Sequence, residues 1–277
     1  MVESIYWIDS DGGALNLTDG VKYTVLQGLD GRFMPPFEIV SYVQYKGVGD
    51  SVRMRTTKAR EVVIPLMVSG TSVTDFRNNM RMLTDAFDPM RGDGFLKVIT
   101  PDSKTLLLKC HYKDGMTMPE DTDTGGCTFR KFVITFLAHE PIWFNALENE
   151  RLWYGDYVDY VQDINNAGDV DTWPIWELSG SVAGVTAITI KNISTGDHFT
   201  VTLGTSHIHT SDHLYVDTRP NTVAVLKNHV TNEWDKVSTT SLLFPLIPGV
   251  NQISLTVTGN DSGTYIKCRW VDRYYGV

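Results

Sequence analysis

Apolar residues recur along this chain mainly at every second position, in short runs rich in Val, Ile, Thr, Tyr and Trp that are separated by Gly, Asn, Asp and Pro. A period of two places alternate side chains on one face, so the pattern predicts half-buried β-strands. The clearest run is Arg60 to Val68, where Val62, Ile64, Leu66 and Val68 share a face. Further strands are expected at Ile5–Ile8, Val21–Leu26, Ser51–Arg55, Phe95–Ile99, Thr105–Tyr112 and Phe129–Ala138. Met34-Pro35-Pro36-Phe37 reads as an edge or crossing segment, because proline cannot donate to a sheet ladder. One stretch breaks the rule. From Val73 to Phe87, Val73, Phe76, Met80, Leu83 and Phe87 fall three or four positions apart, the stripe of an amphipathic helix. Ser72 and Asp75 supply a capping box at its start, and Asp88-Pro89 ends it.

With 277 residues the chain exceeds the usual size of one domain, and 42% hydrophobic with 21% charged residues is ordinary for a globular protein. A first, mainly β domain is expected over 1–144, with a polar arm at 119–126 between two long strands. Residues 145–172 hold Trp153, Tyr154, Tyr157 and Tyr160, an aromatic density expected to pack over a domain junction rather than stay exposed. From 173 to 277 strands resume at 185–191, 199–203, 213–216, 222–226, 251–257 and 264–271, with tight turns at Ser194–Asp197 and Gly259–Asp261. That spacing predicts a β-sandwich.

Charge narrows the function classes. The net charge is -9, and it is uneven: residues 1–147 carry 16 basic and 18 acidic groups, residues 148–277 carry 8 and 15. Nucleic acid would be repelled by the second part. In the first part, Arg53, Arg55, Arg60, Arg77 and Arg81 are candidate contacts to a neighbouring copy, because arginine forks pair acidic groups with directionality. Cys110, Cys127 and Cys268 are widely spaced among apolar residues and read as reduced core thiols. Met1-Val2-Glu3-Ser4-Ile5 lacks a secretory pattern and no run is long and apolar enough to span a membrane, so synthesis in the cytosol is expected.

Candidate chemistry is sparse. Asp123-Thr124-Gly125 and Asp261-Ser262-Gly263 could present paired carboxylates, yet turn chemistry explains both tripeptides, with Asp capping local backbone and Gly supplying freedom. His207, His209 and His213, with Asp212, form the densest metal-like cluster, but on a polar stretch without specific ligand spacing. No phosphate loop or dinucleotide fingerprint occurs, so neither enzyme activity nor a cofactor is expected. Tyr215, Trp234 and Trp270 are candidate sugar-stacking residues, which leaves a carbohydrate-binding sandwich as the alternative to a structural role.

Asn166, Gly168, Pro174 and Gly180, the run Phe244-Pro245-Leu246-Ile247-Pro248-Gly249-Val250-Asn251, and Lys267-Cys268-Arg269-Trp270 together carry a resemblance. With the strand–helix–strand order before Ala138–Trp143, the chain resembles the distal tail protein (Dit) family of long-tailed bacteriophages. The resemblance implies an N-terminal β-barrel or split-barrel-like ring domain with one α-helix, followed by a galectin-like β-sandwich that projects outward. It implies a hexameric ring at the distal end of the phage tail, in the baseplate or tail tip of a siphovirus virion. The implied partners are the tail tube protein, the tail hub, the tape-measure system and receptor-binding proteins.

Overall fold

The computed structural model describes residues 3–43, 48–116, 128–155 and 161–277, and the chain divides into two compact units, Met1–Ala146 with Tyr274–Val277 and Leu147–Arg273. The expected 119–126 arm, Cys127, Tyr157 and Tyr160 lie outside the described residues.

The first unit contains β1 (Ser4–Ile8), β2 (Ala14–Asn16), β3 (Tyr23–Val25), β4 (Phe37–Val43), β5 (Asp50–Thr57), β6 (Arg60–Ser69), α1 (Val73–Ala86), β7 (Gly94–Ile99), β8 (Thr105–Asp114), β9 (Phe129–Ala138) and β10 (Trp143–Asn145). An antiparallel sheet runs β2-β1-β7-β8-β9-β6-β3, curling into a near-barrel, with β10 added against β8. Its inner face is the one the alternation marks: Val62, Ile64, Leu66 and Val68 are at most 1% exposed. Each such side chain contributes about 2 kcal/mol by leaving water. Beside them on β9, Phe132, Ile134 and Phe136 are buried as well.

Helix α1 closes one side of this core. Ser72 Oγ accepts from Asp75 N at 3.1 Å, as the capping box requires. The reciprocal arm differs from expectation, because the Asp75 carboxylate takes Thr71 N (2.8 Å) and Thr71 Oγ1 (3.1 Å). Those two bonds hold its pKa below the usual carboxylate range. Asn79, buried in mid-helix, donates to Ser69 O at 2.8 Å, and Tyr23 Oη donates to Asn79 O at 2.8 Å. Burial, reinforced by Asp19, pushes the Tyr23 phenol up to about 12. Trp7 Nε1 donates to Ala86 O at 2.6 Å while its ring stacks on Phe136, so the helix end is tied to the sheet.

The second unit contains β11 (Asn149–Tyr154), β12 (Val161–Asn166), β13 (Ile175–Ser179), β14 (Ala187–Asn192), β15 (His198–Thr202), β16 (His213–Asp217), β17 (Ala224–Lys227), β18 (Thr231–Asn232), β19 (Gly249–Thr258) and β20 (Tyr265–Trp270). Two antiparallel sheets, β11-β20-β13-β16-β17-β18 and β12-β19-β14-β15, enclose one apolar core in a sandwich. Residues 149–154 and 161–166, assigned by aromatic density to a junction, are the edge strands of these two sheets. Trp153 accordingly points into the sandwich, 2% exposed and stacked on Trp176 at 5.9 Å, while Tyr154, next along the strand, is exposed. Alternation along β11 accounts for both placements.

Candidate assembly surfaces

Among the described residues, β4 and β5 pair only with each other. The alternation argument recovered β5 but not β4, because a two-stranded ribbon buries neither face and so leaves no single apolar register to read. Cross-strand partners share a face, and neighbours along a strand point oppositely, so the pairs Ile39–Arg55 and Val40–Met54 lie on opposite faces. Apolar side chains therefore meet solvent on both: Ile39 is 59% exposed, Tyr42 56%, Val52 47% and Met54 51%. At the change of register between Val40 and Ser41, Arg53 is the unpaired extra residue of a β-bulge. Where the ribbon begins, the Phe37 ring meets Tyr275 edge-on at 5.9 Å, and Lys58 pairs with Glu38 at 3.2 Å.

The five arginines separate. Arg53 and Arg55 stand exposed on the ribbon, and Arg77 and Arg81 on the outer face of α1. Arg60, expected beside them at the surface, is 1% exposed. Its guanidinium donates to Arg32 O at 3.1 Å and to Tyr275 O, holding the returning C-terminal residues on the first unit. Desolvation lowers its pKa to about 10. Position 60 begins β6 on the inward register, which sequence charge alone does not reveal.

On the second unit, Trp234 is 46% exposed in a short 3-10 turn, and Tyr215 is half-buried with His229 at 4.6 Å over its ring. Trp270, expected as a third sugar platform, is instead packed in the sandwich core at 8% exposure. His207 and His209 do share a side, with ring centroids 5.9 Å apart, flanking the fully buried Ile208. Asp212 does not turn toward a metal position with them. It pairs with Lys227 Nζ at 3.1 Å and accepts from Asn228 Nδ2 (2.8 Å) and His209 N (3.2 Å). His213 lies 3.4 Å from Glu177. Among the described residues no three His, Cys, Asp or Glu side chains converge as a metal site.

The Asp212 bonds, that from Asn228 first, hold its pKa down at about 2. A depressed carboxylate stabilises the fold fully above its ordinary value and loses that contribution as pH falls toward the folded value. The 207–213 loop is therefore expected to loosen between about pH 4 and about pH 2. Amide exchange at Ile208 and His209 should accelerate across that window, and Asp212→Asn should flatten the dependence; identical profiles in both proteins would refute the assignment.

Asp261 is used as a turn residue. Its carboxylate accepts from Val182 N at 2.8 Å and Gly263 N at 2.9 Å, the bonds that hold its pKa below the usual range. Asp123-Thr124-Gly125 lies outside the described residues.

The residues that carry the resemblance have structural work in common. Asn166, 1% exposed, donates to Val170 O and Leu246 O, both at 3.0 Å, and accepts from Gly168 N at 3.0 Å. A Cβ on Gly168 would lie 2.3 Å from Arg273 O, and one on Gly180 would lie 2.2 Å from Ile208 O. Pro174 O accepts from Thr218 Oγ1 at 2.6 Å. Gly249, at φ +88°, makes the reversal into β19 that Asn251 then braces. These positions tie crossing segments to the sheets.

Residues 167–274 match the family "Siphovirus-type tail component, C-terminal domain". Among solved structures, the crystal structure of the Dit protein (gp 19.1) of phage SPP1 shares the fold over 99% of both chains, with a TM-score of 0.73 at 16% sequence identity. The phage P2 baseplate in its activated conformation with calcium aligns over 97% of this chain and 98% of that one, with a TM-score of 0.49 at 10% identity. No curated protein matches the chain in sequence. The family match lies within the second unit, and the fold of the SPP1 Dit protein is held in common along the whole chain.

Proposed function

We propose that this structural distal tail protein assembles through its first unit into a hexameric ring that joins the tail tube to the tail-tip hub or baseplate. The second unit then carries outward attachment to receptor-binding components, with the tape-measure system as a further neighbour. One observation supports the reading above others: the β4–β5 ribbon exposes apolar side chains on both faces and pairs with no other strand of its own chain among the described residues. An isolated two-stranded ribbon is marginal in water, and an exposed apolar strand pair invites association. The SPP1 protein is described as a hub of the adsorption apparatus in phages infecting Gram-positive bacteria, and the shared fold makes the same role the natural one here. Net negative charge on the second part disfavours nucleic acid, and no helix among the described residues is long and apolar enough to cross a membrane.

Mass measurement by light scattering, with negative-stain imaging, tests the proposal on the full chain alone and with tube protein. A closed six-copy ring is expected in at least one condition. A persistent monomer that binds glycans through the region of Trp234 and Tyr215 would instead establish the carbohydrate-binding alternative.

A further inference from the structure

In the second unit, the outer face of the sheet β11-β20-β13-β16-β17-β18 carries a polar trough. Trp176 and Leu178 of β13 point into the sandwich core, so Glu177 and Ser179 point outward. Glu177 is the cross-strand partner of Tyr215 on one side and Lys267 on the other, and Ser179 that of His213 and Tyr265. Glu177 and the short Ser179 therefore form a floor between two taller rows. His213 and Tyr265 flank Ser179 with ring centroids 6.3 Å apart, and the His229 ring closes on Tyr215 at 4.6 Å. His229 is held there at φ +58°, a left-handed conformation that is costly for a residue with a β-carbon.

The charged groups of the trough approach one another without closing. His213 Nδ1 and Arg269 Nη2 lie 3.4 Å and 4.0 Å from Glu177, Lys267 lies 3.5 Å from Glu150, and Arg269 lies 3.7 Å from Glu148. All four distances exceed that of a well-formed hydrogen bond. Beside them on the same sheet, Asp217 and Arg219 do close, at 2.6 Å. Glu177 has only 19% of its side chain exposed, and His213 Nδ1 and Arg269 Nε have no hydrogen-bond partner among the described residues. Polar groups that are largely desolvated and poorly paired favour a ligand that brings donors and acceptors together.

We infer that this trough binds an uncharged saccharide. The C–H face of one pyranose lies against Tyr215 and His229, while its hydroxyls donate to Glu177 and accept from Arg269 and His213. Three carboxylates, Glu148, Glu150 and Glu177, stand among the two cations Lys267 and Arg269, so an anionic polymer gains nothing here. The surrounding residues 148–277 repel it further, with 15 acidic groups against 8 basic ones. A peptide strand is disfavoured too, because β20, β13 and β16 are paired on both sides and offer it no free backbone edge. Such a ligand is independent of ring closure by the first unit, and six copies in a ring would hold a repeating glycan together.

The test presents the full-length chain to an array of uncharged oligosaccharides (glucans, galactans, mannans and N-acetylhexosamine oligomers) beside sialylated ones, and titrates the best member by calorimetry. Binding of an uncharged member is expected. Tyr215→Ala and Glu177→Gln should each weaken it at least about tenfold. His229→Gly should weaken it as well with Tm unchanged or raised, because glycine adopts the positive φ without strain, which separates loss of binding from loss of fold. Thr256→Ala, exposed on the other sheet, should leave binding unchanged. Preference for the sialylated members would overturn the site, as would loss of binding with Trp234→Ala but not with Glu177→Gln or His229→Gly. Rings that assemble and bind none of these saccharides would overturn it and leave the ring reading standing. Saccharide binding at this trough by a chain that never forms rings would keep the site and remove the ring reading.

Discussion

Asn251→Leu is expected to destabilise the second unit by about 4 kcal/mol, although leucine has the same branched outline as asparagine. Asn251 is 0% exposed and bonded on every side. Its Nδ2 donates to Ile247 O at 2.8 Å and Gly249 O at 3.1 Å. Its Oδ1 accepts from Ile247 N and from Asn192 Nδ2, both at 3.0 Å. The leucine would leave four polar groups without their partner, and each buried unsatisfied group costs about 1–3 kcal/mol. The lower figure applies here, because the adjoining residues 248–250 are exposed. Urea unfolding followed by tryptophan fluorescence measures the loss; a change below about 1 kcal/mol would mean that the loop rebuilds its bonds without Asn251. The functional consequence follows from position. The loop 244–251 feeds β19, which pairs with both β12 and β14, so slackening there propagates to one whole sheet of the sandwich.

Gly180→Val is expected to cost the second unit about 3 kcal/mol or more, through backbone overlap rather than a lost bond. A Cβ at this position would sit 2.2 Å from Ile208 O and 2.3 Å from His209 O, and neither carbonyl is a flexible side-chain end. Relief requires the 207–213 loop to lift from the end of β13. That movement breaks the bond from Ser181 N to Ile208 O and exposes Ile208, now fully buried. Thermal unfolding should show the loss, and proteolysis should cleave near residue 208 in the variant before anywhere else in the second unit. Gly263→Ala is the control, since its Cβ would meet only the Asp261 carboxylate at 3.3 Å, and it should change stability by well under 1 kcal/mol. Equal stability of the Gly180→Val and wild-type proteins would show that the loop approaches β13 less closely than described.

The two positions also show what was legible in the sequence and why. Gly180 and Asn251 stood out as part of a recognisable pattern, but their use is a matter of proximity: Gly180 lies against Ile208 and His209, far along the chain, and Asn251 is bonded to Asn192, 59 positions earlier. Side-chain periodicity reports only whether a residue faces a core, not which distant segment lies over it. Arg60 makes the same point in reverse. It is one of five arginines of similar appearance, and only the inward register of β6 together with the returning C-terminal residues turns it into a buried clamp. Trp270 looked available for sugar stacking and Trp153 for a junction, because aromatic content was counted without knowing that their strands have a sandwich on one side.

By itself, the sequence determined the mainly β class, helix α1 with its cap and stop, the inner face of β6, and six of the sandwich strands, β14 to β17, β19 and β20, to within a few residues. These are local consequences of a two- or 3.6-residue period and of turn chemistry, which act over a handful of neighbouring residues. Only the tertiary structure decided that β4 and β5 form a ribbon outside both cores, that residues 149–154 and 161–166 belong to the sandwich, and that Ile175–Ser179 is a central strand of it. Those outcomes depend on which strands find partners across long stretches of chain. Strand pairing is a competition among distant segments, and a ribbon that pairs with no core sheet leaves its apolar side chains exposed.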